Sequence, residues 1–295
     1  MNYTKEDIIK IVGEQYADEI IENYCISNDN YFSQENNKLY MSSTQFKDFL
    51  KCENEALAKV KGELVEEKSD ALLFGGYIDA YFSNELDQYL EQYGADMINS
   101  RTGELKAPFK GIGEVIKTIE NDPMLMKYLN GQKQVIMLGN IAGVPFKIKI
   151  DSFHNGLCIV DQKIMKSIVE PVWVERENRN VKTDFIDAYG YDIQGAIYQE
   201  IVRQNTGLKL PFIIAATTKE ESPDKALIEI DQEYLDKALE LVKELAPRYQ
   251  AIKNGEIEPK HCGKCATCRG QKVLTGVISY KELFNKESDN ESIWC

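Results

Sequence analysis

An alternating stretch in the middle of the chain constrains the fold more than any other feature. Phe146, Ile148 and Ile150 alternate with Lys147, Lys149 and Asp151. A period of two suits an extended strand with one apolar and one polar face, as in a half-buried sheet. Asn155-Gly156 follows, and both residues tolerate the positive φ that a tight hairpin turn demands. A second strand, Leu157 to Ile164, then places Asp161 and Lys163 on one face, because residues i and i+2 share a face. With Gln134 to Leu138 as a preceding strand and Asn140 to Gly143 as the turn between, the expectation is a three-stranded antiparallel meander.

The flanks read as helices. Ile8, Ile9, Ile11, Val12, Tyr16, Ile20 and Ile21 mark an amphipathic helix over Lys5 to Tyr24, followed by a polar loop from Ser27 to Asn37. Ser42 and Gln45 fit a capping box at the start of a helix over Thr44 to Lys61, with Phe46, Phe49, Leu50, Leu57 and Val60 inward. Residues 71–82 form an apolar helical stretch with Asp79 inside it and Gly75-Gly76 permitting close backbone approach. Residues 95–131 read as a helical insertion with a helix start at Asp122-Pro123. Beyond the meander, Ile186, Ile193, Ile197 and Ile201 form the spine of a helix over Asp184 to Arg203. Gln194 and Tyr198, four apart, share its surface. Strands over Pro211 to Thr217 and Lys225 to Ile230 precede a long helix, Gln232 to Asn254, stopped at Gly255. The class is α/β, with a mixed, mainly antiparallel sheet flanked by helices.

With 35 basic against 48 acidic residues, the net charge is −13. That argues against a protein that coats itself in nucleic acid. It leaves room for an enzyme whose basic residues are confined to one groove, because the local field decides. The densest basic patch is Arg176, Arg179 and Lys182 after Trp173, suited to a phosphate backbone or to a solvated loop. No run approaches 18 apolar residues and MNYTKEDIIK lacks a signal-peptide pattern, so a soluble, cytoplasmic protein without membrane association is expected.

Two groups of residues carry chemistry. Asp151 and Asp161 can converge on one hard cation with Lys163 beside them, an arrangement for metal-assisted phosphodiester hydrolysis; taken alone, the three also suit a surface ion pair. Asp79 is costly to bury unless paired or metal-bound. Of seven cysteines, Cys25, Cys52, Cys158 and Cys295 are scattered, while Cys262, Cys265 and Cys268 form a C-x2-C-x2-C cluster. An odd count with so tight a cluster reads as metal ligation rather than disulfides.

Taken in order, these residues resemble a known family. Asp151 followed by Asp161-Gln162-Lys163 resembles the D-x(n)-(D/E)-x-K signature of PD-(D/E)XK nucleases. Gln194-x3-Tyr198 resembles the Q-x3-Y motif of their RecB-like branch. Gly75-Gly76-Tyr77-Ile78-Asp79 is similar to that branch's G-x3-H motif, with aspartate in the histidine's place. Ser42 to Cys52 looks like its N-terminal S-x-L-x-x-[FY]-x-x-C helix. The closest resemblance is to the phage RecE-type exonuclease (exonuclease VIII) domain, and it spans residues 42 to 268.

The resemblance implies a restriction-endonuclease-like core over 41–270, a helical extension over 1–40 and a tail over 271–295. It implies Mg²⁺ or Mn²⁺ held by Asp79, Asp151, Asp161 and the Gln162 backbone carbonyl. Lys163 would position water and stabilise transition-state charge; Gln194 and Tyr198 would hold the phosphate or brace Lys163. Cys52 with Cys262, Cys265 and Cys268 would hold a [4Fe–4S] cluster or zinc, with His261 as an additional zinc ligand. The implied activity is a DNA exonuclease that processes duplex ends for phage-type recombination, working with a single-strand annealing recombinase, assembled as a homo-oligomeric ring, and encoded by a phage or prophage. A structure-selective or single-strand nuclease, or a non-catalytic binding module on the same scaffold, are the alternatives.

Overall fold

The computed structural model describes residues 3–13, 26–64, 68–176 and 179–278. Among the described residues, eight α-helices lead into the sheet: α1 (Lys5–Val12), α2 (Gln34–Leu39), α3 (Ser43–Lys51), α4 (Glu53–Lys61), α5 (Asp70–Ser83), α6 (Leu86–Met97), α7 (Ile112–Glu120) and α8 (Pro123–Leu129). The meander follows as β1 (Gln132–Ile141), β2 (Val144–His154) and β3 (Cys158–Met165). Then come a ribbon of β4 (Val172–Arg176) and β5 (Arg179–Thr183), helices α9 (Phe185–Tyr189) and α10 (Tyr191–Thr206), strands β6 (Phe212–Thr218) and β7 (Lys225–Glu229), and helices α11 (Gln232–Lys253) and α12 (Ala266–Gly270).

The five-stranded sheet has the order β1-β2-β3-β6-β7. Every neighbouring pair is antiparallel except β3 and β6, which run parallel. A parallel pair needs a long crossover, and the β4–β5 ribbon, α9 and α10 supply it. Helices cover the sheet in two apolar layers. Phe46, Phe49, Ile197, Ile201, Val242 and Tyr249 of α3, α10 and α11 pack with Phe212 and Ile214. Leu73 and Ile78 of α5, with Ile112, Ile119 and Leu125 of α7 and α8, pack with Cys158, Val160, Ile213 and Ala215. The mixed α/β sheet expected from the pattern is therefore the observed one.

Local chemistry accounts for the turns. Ala142 (φ 51°) and Gly143 (φ 83°) make a two-residue hairpin loop, and Asn140 Oδ1 accepts from the Gly143 N–H at 2.8 Å. The strand thus runs to Ile141, beyond Leu138, where the alternation ended. Asp122 caps α8 by accepting from the N–H groups of Met124 and Leu125, as the Asp-Pro pair predicts. Of the expected 5–24 helix, Lys5–Val12 is helical and residues 14–25 lie outside the described residues.

Two helices read as continuous are broken. Cys52 takes an extended conformation (φ −161°, ψ 111°) and separates α3 from α4. Gly190 is left-handed (φ 61°) and separates α9 from α10. Both breaks serve distant contacts described below, which explains why apolar periodicity runs through them. The Ser42 cap is present, but Gln45 does not close the box; its amide donates to the Asn37 carbonyl at 2.8 Å.

The polar face of β2 is not open to solvent as its alternation suggests. Lys147 is 1% exposed. Its ammonium donates to the Tyr31 carbonyl and to Asn37 Oδ1 (2.8 Å) and lies 4.6 Å from the Tyr31 ring centroid. Residues leading into and within α2 therefore roof this face. Burial lowers the Lys147 pKa to about 7, and Lys253, lowered likewise by burial and then by the Lys147 charge, also falls to about 7. An unfolded lysine titrates near 10.4. Between those values the unfolded chain binds more protons, so this lysine's contribution to stability rises with pH. Wild type should therefore gain on Lys147→Met by up to about 1.4 kcal/mol per pH unit from pH 7 to 9. Chemical denaturation of both proteins at several pH values checks this; a pH-independent difference would contradict it.

Candidate active site and cysteine clasp

The acidic site forms where two strands part. β2 and β3 pair only from Ser152↔Val160 to His154↔Cys158, while β3 continues beside β6 to Met165. In the fork, Asp151 Oδ2 accepts the Gln162 backbone N–H at 2.8 Å. A carboxylate thus takes the donor that a continued ladder would have used. Asp161 is 2% exposed. Its Oδ1 accepts from Gln194 Nε2 at 2.7 Å, and its Oδ2 ion-pairs with Lys163 Nζ. Helix α5 adds Asp79, whose two oxygens lie 3.3 and 3.4 Å from Gln134 Nε2.

These acids act on one another. Burial raises the Asp151 pKa well above the ordinary carboxylate range, and the charges of Asp79 and Asp161 add to the shift. Burial also raises Asp79; Lys149 and Lys163 oppose this, whereas Asp161 and Glu85 reinforce it. Burial works against the Lys163 ammonium, yet Asp161 and Asp151 outweigh it and hold the proton on more tightly than usual. Three desolvated carboxyls beside one close ammonium form a hard oxygen donor set with excess negative charge. In chemical kind these donors suit a divalent cation such as Mg²⁺ or Mn²⁺; among the described residues, only the four thiols described below have all their donor atoms within 4.8 Å of one another.

Gln194 and Tyr198 turn inward. Gln194 braces Asp161 and not Lys163, while Tyr198 Oη donates to the Lys149 carbonyl at 3.0 Å. Both side chains are buried, each 7% exposed. The site also holds groups that spacing alone did not single out. Lys149 lies two residues before Asp151 and near enough to Asp79 to oppose its shift; the same alternation could have drawn attention to it. Its ammonium lies 5.6 and 5.0 Å from the Tyr31 and Phe32 ring centroids. Lys47 donates to the Tyr189 carbonyl at 3.1 Å, and both Lys47 (5.7 Å) and Lys163 (5.4 Å) sit over the Tyr191 ring. The Gly190 break makes this approach feasible: a Cβ there would stand 2.9 Å from Lys47 Cδ.

The basic patch is a two-stranded ribbon apart from the main sheet. Arg179 and Lys182 are exposed on β5, and Lys182 pairs in register with Trp173, its ammonium 4.9 Å from the ring. Arg176 ends β4 opposite Arg179. Glu175 forms an ion pair with Lys264 at 2.8 Å, which ties the ribbon to the cysteine loop.

The thiols of Cys52, Cys262, Cys265 and Cys268 lie within 4.8 Å of one another. Cys52 Sγ stands 3.7 Å from Cys265 Sγ and 3.6 Å from Cys268 Sγ. Four thiolates around one tetrahedral ion at the usual zinc–sulfur length have edges of about 3.8 Å. In a four-iron cluster each thiolate ligates its own corner, which holds the sulfurs farther apart. The set therefore fits one ion better than a cluster. The N–H groups of Lys264 and Cys265 point at Cys262 Sγ (3.4 and 3.3 Å), and that of Cys268 at Cys265 Sγ (3.3 Å), as suits thiolates. His261 is exposed and stands outside the four-thiol set. The extended Cys52 is what reaches the cluster, and its neighbours reinforce the closure. Glu53 accepts from Arg248 at 2.7 and 2.8 Å and from the Lys260 N–H at 2.7 Å, and Asn54 donates to Gln271 at 2.8 Å. Cys158 lies buried in the second apolar layer, and Cys25 and Cys295 fall outside the described residues.

Comparison with known proteins agrees with this fold. Residues 42–271 match the family described as a PDDEXK-like domain of unknown function (DUF3799). No curated protein matches the sequence. The crystal structure of a protein titled "Putative exonuclease" from Eubacterium rectale is similar at 45% identity and a TM-score of 0.83, over 90% of this chain and all of that one. No helix among the described residues is long and apolar enough to cross a membrane.

Proposed function

The chain belongs to the PDDEXK-like DUF3799 family, and on that footing we propose that it is a divalent-metal-dependent exonuclease acting on duplex DNA ends. The observation that carries the reading is the convergence of Asp151, Asp161 and Lys163 in the β2–β3 fork, with Gln194 on Asp161. Asp79, Asp151, Asp161 and the Gln162 carbonyl would hold Mg²⁺ or Mn²⁺. The bound ion supplies charge neutralisation at phosphorus and an acidified water. The remaining work falls to the chain's own groups. Lys163 keeps its proton at neutral pH, so it is not the base; it orients the attacking water and stabilises charge on the non-bridging oxygens. As the water oxygen bonds to phosphorus and gives up its proton to solvent, the bridging P–O bond breaks, and the departing oxygen takes the bond's electron pair and a proton from solvent. Gln194 and Tyr198 keep Asp161 and β2 in register during this step.

The similar crystal structure bears the exonuclease name, and this supports end-directed cleavage here. Processing of ends for recombination rests on the motif order shared with RecE-type domains. At the cysteine clasp, the sulfur spacing supports one zinc ion with a structural role. The ribbon's Arg179, Lys182 and Arg176 are the groups suited to the DNA backbone, with Trp173 among them. Linear duplex DNA with either end labelled, incubated with the purified protein and Mg²⁺, should lose nucleotides progressively from its ends, while covalently closed circles persist. Absence of cleavage with both Mg²⁺ and Mn²⁺ would favour a binding module instead. Arg179→Ala with Lys182→Ala should weaken duplex binding regardless of sequence and reduce the salt slope of log K by about 2; an unchanged slope would remove the ribbon from the interface.

A further inference from the structure

One residue of the acidic fork belongs to no motif. Gln134 lies on β1 opposite Asp151 in the register set by Lys133↔Ser152 and Val135↔Ile150, at a position where the ladder itself is interrupted. It is 6% exposed. Its backbone has φ 50°. Of the three non-glycine residues with positive φ among those described, Asn84 caps a helix and Ala142 sits in a hairpin turn; Gln134 is inside a strand. A left-handed glutamine within a strand is strained and persists only where its surroundings enforce it, as at functional sites.

The side chain shows what that conformation serves. Nε2 reaches both oxygens of Asp79, at 3.3 and 3.4 Å, and Ser83 Oγ at 3.0 Å. Oε1 is buried and has no hydrogen-bond partner, a costly state for a buried acceptor. Ser83 follows one turn later on α5, so the amide contacts two successive positions of the helix face that bears Asp79.

We propose that Gln134 is a positioning residue for the cation site: its amide holds the Asp79 carboxylate toward Asp151 and Asp161. This rests on the nuclease reading above, through its divalent cation. Partners that orient a metal ligand commonly change affinity by about 10–100-fold when removed.

The test titrates Mn²⁺ alone into the full chain, with the free ion followed by electron paramagnetic resonance. Gln134→Met should weaken Mn²⁺ binding about tenfold. The double variant with Asp79→Asn should bind no more weakly than Asp79→Asn alone, because Gln134 acts through Asp79. In the DNA assay the loss should fall on kcat, with KM for DNA unchanged. Gln134→Gly removes the amide and suits φ 50°, so it gives the same readout if the methionine variant does not fold. An unchanged Mn²⁺ affinity in either variant, or additive losses in the double variant, overturns the proposal while leaving the nuclease reading intact. A wild-type protein that binds no Mn²⁺ overturns both.

Discussion

Lys163→Met should lower the rate of DNA cleavage by about 10²–10³-fold, the usual cost of removing one preorganised charge-stabilising donor. Methionine keeps most of the aliphatic length, so packing beside Tyr191 survives, while the ammonium on Asp161 Oδ2 is lost. Asp161 is then a buried carboxylate without its counter-ion. Breaking one side of such a pair costs about 3–5 kcal/mol when fully buried; Lys163 keeps 23% side-chain exposure, so the cost here should fall below that range. Thermal unfolding of the variant therefore accompanies the kinetic measurement. If activity falls by less than tenfold in a folded variant, Lys163 is a structural counter-ion and the proposed role fails. Asp161→Asn separates the two functions of the pair. It keeps an oxygen for Gln194 Nε2 but removes the negative charge that retains the cation and the Lys163 proton, so both Mn²⁺ affinity and rate should fall. Because the Asp161 and Asp151 charges hold the Lys163 pKa above its ordinary value, titration of this lysine should not shape the rate profile between pH 7 and 9.

The second large effect concerns the clasp. The purified protein should carry one equivalent of zinc, and Cys268→Ser should lose it and lower the thermal midpoint by about 10 °C, on the scale of 2–4 °C per kcal/mol for a chain of this size. The loss should be large because Cys52 and the 262–268 loop are more than two hundred residues apart and close the chain upon itself. Removing the ion leaves Glu53 with Arg248 and Asn54 with Gln271 to hold the closure. The loop is also tied to the ribbon through Lys264 and Glu175, so Cys268→Ser should weaken DNA binding more than it changes the rate on saturating DNA. Metal analysis and visible absorbance decide the occupant. Iron with sulfide and a broad band near the blue would show a cluster and reject the single-ion assignment drawn from 3.6 and 3.7 Å sulfur separations.

The sequence by itself determined what depends on neighbours a few residues apart. The period of two over 146–151, Asn155-Gly156 and the Ala142-Gly143 loop encode the meander, and the i, i+2 relation places Asp161 with Lys163. Asp122-Pro123 and Ser42 start helices through local hydrogen bonds. Motif order extended this to a family, and with it to Asp79, Gln194, Tyr198 and the four cysteines. Only the tertiary structure decided what each of these side chains meets. Gln194 and Tyr198 turned out to brace Asp161 and β2, because α10 packs over the fork. Lys147 is buried because α2 and the residues before it cover a strand face that its own pattern marks as polar. The breaks at Cys52 and Gly190 are invisible to periodicity because their causes, the cysteine loop and Lys47, are far away in the chain. Gln134 is the extreme case. Nothing in the residues beside it calls for positive φ in a strand, and its conformation makes sense only beside Asp79, a partner 55 positions away on another element. Local chemistry sets backbone periodicity and turn geometry, whereas burial and pairing are settled by whichever remote elements the fold brings into contact.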